Sequence, residues 1–107
     1  MKSKDIFLLD FHRGTIEISK YTYNKRFRQT IIMLRYDAKG RHTNPPPDEK
    51  TFDGPHVHIY KEGYDDKFAY PISEIGVNEN DSMEGVLVKF LNFCNVKNLP
   101  ATQITIE

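Results

Sequence analysis

GPHVHIYKEGY, residues 54–64, is the stretch on which the fold turns. Val57 and Ile59 alternate with His56, His58 and Tyr60. Successive strand side chains point to opposite faces, so this spacing predicts a strand over 55–61 with one apolar and one polar face. EGYDD then reads as a turn, and KFAYP (67–71) as a following strand. Upstream, QTIIMLRYD (29–37) is apolar and β-branched, which predicts a central strand. Its Ile32, Leu34 and Tyr36 share one face, and Ile31, Met33, Arg35 and Asp37 the other. DIFLLDFH (5–12) and TIEISKY (15–21) flank Arg13-Gly14, the pattern of a hairpin whose glycine takes positive φ.

Residues 38–54, AKGRHTNPPPDEKTFDG, read as a long loop. Pro45 to Pro47 lack amide donors and favour a polyproline conformation. Structureless loops longer than about 12–15 residues are usually functional or disordered. One helix is expected over 82–94. Met83, Val86, Leu87, Phe90, Leu91 and Cys94 recur at the spacing of one buried face. Asp81 and Glu84 have the spacing of a capping box, Gly85 weakens the helix by ~1 kcal/mol, and Asn98 and Pro100 end it. Thr102–Ile106 alternates and reads as a short edge strand. The expected architecture is α+β: an antiparallel β-meander of about five strands packed on one C-terminal α-helix, a single domain over 1–107.

Composition narrows the class. The chain has 107 residues, seven Phe, six Tyr and 28% charged residues, which suits one globular domain rather than a disordered chain. No apolar run approaches the ~18–20 residues that cross a bilayer, and the first residues lack a signal-peptide pattern. One cysteine, Cys94, excludes an internal disulfide and a Cys-rich zinc site. The expected address is the cytoplasm, with no membrane partner and a monomeric or homodimeric state. Formal net charge is zero, but between Arg13 and Arg41 eight Lys/Arg face two acids. Between Asp48 and Glu84 ten acids face three lysines. Such asymmetry means either a nucleic-acid-facing half or halves that pair in the fold; the acidic half alternatively mimics nucleic acid toward a partner.

If the strands over 29–37 and 55–61 are neighbours, the helix covers Ile32, Leu34, Val57 and Ile59. The opposite face then gathers His56, His58, Tyr60, Arg35 and Asp37, with His12 or Glu17 added by the hairpin. Three readings compete for it. In the first, the HxH pair ligates a metal, with Asp37 or His42 as third ligand. In the second, His56, His58 and His42 supply acid and base for metal-independent RNA cleavage while Arg35 holds phosphate. In the third, the rings are structural, hydrogen-bonded to Tyr60, Asp37 and loop carbonyls. HxH comes with no carboxylate or cysteine at a characteristic spacing, so no metal and no cofactor is expected.

KYTYNKRFRQ, residues 20–29, interleaves Lys20, Lys25, Arg26 and Arg28 with Tyr21, Tyr23 and Phe27. Cations neutralise phosphates and rings stack on unpaired bases, so this segment fits RNA or a ribonucleoprotein, with Lys39, Arg41 and Tyr60 extending the surface. The competing reading is a solvated connection whose rings fold inward.

MLRYDAKGRHTNP and GPHVHIYKEGYDDKFAYP, with the YTYNKRFR and FLNFCNV segments, resemble an uncharacterised family of small bacterial proteins. Its pattern is Leu-Arg-x-Asp, His-Thr-Asn-Pro and Pro-His-x-His-Ile-Tyr-(Lys/Arg)-Glu-Gly-Tyr. The resemblance runs from about Phe7 to Val96. Phe68 stands where that pattern has Trp, and NPPPDEKTFDG replaces a shorter Asn-Pro-Asp-Gly turn. The resemblance implies a bacterial, often mobile-element setting and brings no reaction. More loosely, the Arg-x-Asp and Pro-His-x-His strands look like those of small toxins from toxin–antitoxin pairs. The expected function is a phage- or plasmid-type accessory protein that binds RNA, a ribonucleoprotein or a host protein, such as an inhibitor of a CRISPR-Cas nuclease. The alternative is a histidine-dependent ribonuclease toxin.

Overall fold

The computed structural model describes residues 4–23, 28–96 and 103–106. Five strands form the expected antiparallel meander: β1 (Lys4–His12), β2 (Thr15–Tyr23), β3 (Arg28–Asp37), β6 (His56–Ile59) and β7 (Ala69–Tyr70). Two short strands, β4 (Arg41–Thr43) and β5 (Thr51–Asp53), stand between the third and fourth. A 3-10 turn (Ile72–Ile75) leads to the one helix, α1 (Met83–Val96). The tail does add an edge strand, β8 (Gln103–Ile106), which runs parallel to β1. The main sheet has the order β7-β6-β3-β2-β1-β8.

The first hairpin turns at Arg13 and Gly14, both with positive φ (45° and 83°). Glycine suits the second position for a further reason. A Cβ there would lie 3.3 Å from the Ala38 Cβ, while Gly14 O accepts the Ala38 amide at 2.9 Å.

One face of the sheet and α1 form the core. Leu9, Ile16, Ile18, Leu34, Tyr36 and Val57 pack with Val86, Phe90 and Cys94. The helix presents the 86, 90 and 94 positions with Met83 and Leu87 beside them, while Leu91, expected inside, is 36% exposed. Burial pushes the Cys94 thiol up to about 11, so it sits in the core as a neutral thiol. Ser82, rather than Asp81, caps the helix: its Oγ accepts the Gly85 amide at 3.1 Å. Asp81 instead accepts the Asn78 amide at 2.9 Å and Lys89 Nζ at 2.6 Å.

Two further expectations needed correction. The simple alternation of β3 fails at a bulge, where Ile18 faces Leu34 but Ser19 already faces Ile32. Met33 therefore packs against the core, and Ile32 instead borders an open cleft with Asp65 and Asp66. The long loop 38–54 contains a β-hairpin. Arg41, His42 and Thr43 pair with Asp53, Phe52 and Thr51, closed by the Gly54 amide donating to Gly40 O and the Asn44 amide to Lys50 O. The prolines occupy its tip, where missing amide donors cost no ladder bond. Among the described residues no helix is long and apolar enough to cross a membrane.

Candidate functional site

Strands β3 and β6 are neighbours, paired Arg35 with His58 and Asp37 with His56. Strand β2 continues both rows, with Glu17 opposite Arg35 and Thr15 opposite Asp37; β1 adds Asp10 and His12. The face away from α1 thus carries two cross-strand rows: Asp10–Glu17–Arg35–His58 and His12–Thr15–Asp37–His56. Both rows arise from period-two alternation, since over these positions every second residue is polar.

The β4–β5 hairpin folds over the β6 end of this face. Asn44 anchors it. Its side-chain Nδ2 donates to the Ala69 carbonyl at 3.0 Å, and its Oδ1 accepts the Ala69 amide at 2.7 Å. A buried amide side chain therefore pairs with β7 as a strand residue would. His42 Nε2–H donates to the Lys67 carbonyl at 2.7 Å, and its ring stands edge-on to His58 with centroids 4.6 Å apart. Phe52 from β5 lies 6.3 Å from the His56 ring. Under this cover His56 is 3% and His58 2% exposed.

Each buried ring has a defined orientation. His56 Nδ1–H donates to the Gly54 carbonyl and His58 Nδ1–H to the Asp66 carbonyl, both at 2.8 Å. Both Nε2 atoms then converge on Asp37 Oδ2, each at 3.5 Å. The approach of His58 Nε2 lacks hydrogen-bond geometry, leaving a buried nitrogen without a partner. Burial, then the nearby Arg35 charge, depresses the His58 pKa to about 4, so this ring is neutral near pH 7. Arg35 Nε donates to Asp37 Oδ2 at 3.0 Å and Thr15 Oγ1 to Oδ1 at 3.3 Å. Arg35 also reaches Asp66 at 3.5 Å, so the basic and acidic segments partly pair. Burial raises the Glu17 pKa against the lowering effect of its Ser19 hydrogen bond.

The structure therefore brings together His42, His56, His58, Arg35 and Asp37. Tyr60, just beyond β6, donates its amide to the Met33 carbonyl, while the Gly54 and Asp66 carbonyls are the hydrogen-bond partners of the two buried rings.

The basic segment is divided. Tyr23 and Arg28 are directly paired across β2 and β3, with the guanidinium 5.6 Å from the ring centroid and Tyr23 44% exposed. Lys25 and Arg26 lie outside the described residues. Strand alternation places Lys20 on the face opposite Tyr23. Lys39 and Arg41 do not extend this surface. They follow the far end of β3, about 30 Å away at ~3.3 Å per residue. A groove missed from sequence lies between the hairpin and β7, where Lys61 stands 4.3 Å over Phe68 and Lys50 5.2 Å over Phe52. Only the fold brings those four residues together.

A family model described as "Family of unknown function (DUF6978)" matches residues 1–96. No curated protein and no solved structure matches the chain.

Proposed function

This chain belongs to the DUF6978 family, and from the geometry of its own surface we propose that it is a non-enzymatic RNA-binding protein. The observation that carries this reading is the Tyr23–Arg28 pair: an exposed ring and an exposed guanidinium side by side at one end of the sheet. The guanidinium neutralises a phosphate while the ring offers a stacking surface to an unpaired base. Lys25 and Arg26 adjoin the pair in sequence and add charge to the same connection. The RNA is single-stranded, free or presented on a ribonucleoprotein; an RNA-guided nuclease of the CRISPR class, met in a mobile-element setting, is such a partner.

The convergence of His42, His56, His58 and Arg35 favours the second reading, a ribonuclease toxin using these residues as acid, base and phosphate ligand. Burial argues against it, because His56 and His58 are 3% and 2% exposed and cannot meet a scissile phosphate under the hairpin. The test is fluorescence anisotropy with a labelled single-stranded RNA at rising salt. Binding should be salt-sensitive and fall when Arg28→Glu or Tyr23→Ala is introduced. Absence of binding at low salt would sink the proposal.

A further inference from the structure

We propose that Asp37, His56 and His58 bind one divalent transition-metal ion with zinc-like ligand preference. The three side chains come from adjacent positions of β3 and β6, and one donor atom from each lies within 4.8 Å of the others. The two Nε2–Oδ2 separations are 3.5 Å. Bonds of about 2.0–2.1 Å at a tetrahedral angle set donor atoms roughly 3.3–3.5 Å apart, so the carboxylate oxygen stands from each nitrogen at the separation of two ligands on one ion.

Ring orientation points the same way. Each Nδ1–H is held by a backbone carbonyl, at Gly54 and at Asp66, which turns Nε2 toward Asp37. A metal-ligating histidine is oriented in this manner through its other nitrogen. With the His58 ring proton on Nδ1, where it is donated to the Asp66 carbonyl, Nε2 presents its lone pair. That buried lone pair faces a carboxylate and lacks a hydrogen-bond partner, an unfavourable juxtaposition that a shared cation converts into an attraction.

The carboxylate is itself held by Thr15 on Oδ1 and Arg35 on Oδ2, as ligating carboxylates are. The Arg35 charge opposes a cation, but Asp66 at 3.5 Å offsets part of it. Two imidazoles and one carboxylate suit zinc and its first-row neighbours better than Mg2+ or Ca2+, which prefer oxygen donors throughout.

The test uses the untagged full chain, stripped with a chelator, dialysed and titrated calorimetrically with Zn2+. One ion per chain is expected, undisturbed by excess Mg2+, with Asp37→Asn and His56→Gln each weakening binding by roughly tenfold or more. Failure of the native chain to bind stoichiometrically, or unchanged affinity in both variants, overturns the proposal. Should a variant unfold, the native chain carries a second readout. Long-range proton–nitrogen spectra during the titration should show the ring nitrogens of His56 and His58 moving while those of His12 stay. Movement of His12 alone, or of no histidine, overturns it.

Discussion

His58 and Asp37 meet across the β3–β6 pair, with Nε2 of the ring 3.5 Å from Oδ2 of the carboxylate. Arg35 Nε donates to that same oxygen at 3.0 Å. The cluster is thus a polar network under a lid, in which each member constrains the next.

Removing the guanidinium leaves Asp37 without its charged donor. Arg35 and Asp37 keep partial solvent contact, at 26% and 18% side-chain exposure, so the loss is smaller than for a fully buried pair. Arg35→Met should lower stability by about 1–2 kcal/mol, read as a drop in the urea midpoint.

Asn44 joins the hairpin to β7 through both the nitrogen and the oxygen of its side-chain amide. Asn44→Ala strips the buried Ala69 amide and carbonyl of their partners, which should cost roughly 2–4 kcal/mol. Hydrogen exchange should show the Ala69 amide losing protection well before the β2–β3 amides, because the hairpin detaches locally.

Much of this was legible in the sequence. The meander was readable because Ile16, Ile18, Leu34, Tyr36 and Val57 keep strict alternation, and the helix because Val86, Phe90 and Cys94 keep helical spacing. The polar face followed from the same alternation once β3 and β6 were neighbours. The hairpin within 38–54 was not readable, because its strands are three residues each and its anchor is a side chain of Asn44 pairing 25 residues away. The bulge at Met33 was equally hidden, since nothing local marks which residue the ladder skips. The burial of the histidines depends on that hairpin, so the sequence alone could not separate an open catalytic face from a covered one.

The helix start separates two capping residues. Ser82 Oγ accepts the Gly85 amide, so Ser82→Ala should destabilise by about 1 kcal/mol. The exposed Glu84 should be nearly neutral when changed to Ala, against the capping-box reading. Paired thermal melts of the two variants distinguish them.

Asp81 supplies a pH dependence. The Asn78 amide and Lys89 hold its carboxyl below the ordinary value of 3.8. A depressed acid contributes stability above its unfolded pKa and loses it as pH falls through the folded one. Asp81→Asn should therefore be less stable than the native chain at about pH 6, with the gap closing at and below about pH 3. Urea midpoints at the two pH values check this.

The most direct test of the functional account incubates labelled single-stranded RNA with the native chain and follows anisotropy and RNA length in the same sample. Salt-sensitive binding through Tyr23 and Arg28, with the RNA left intact, is the predicted result. Cleavage that disappears in His58→Ala would contradict it and return the histidine face to catalysis.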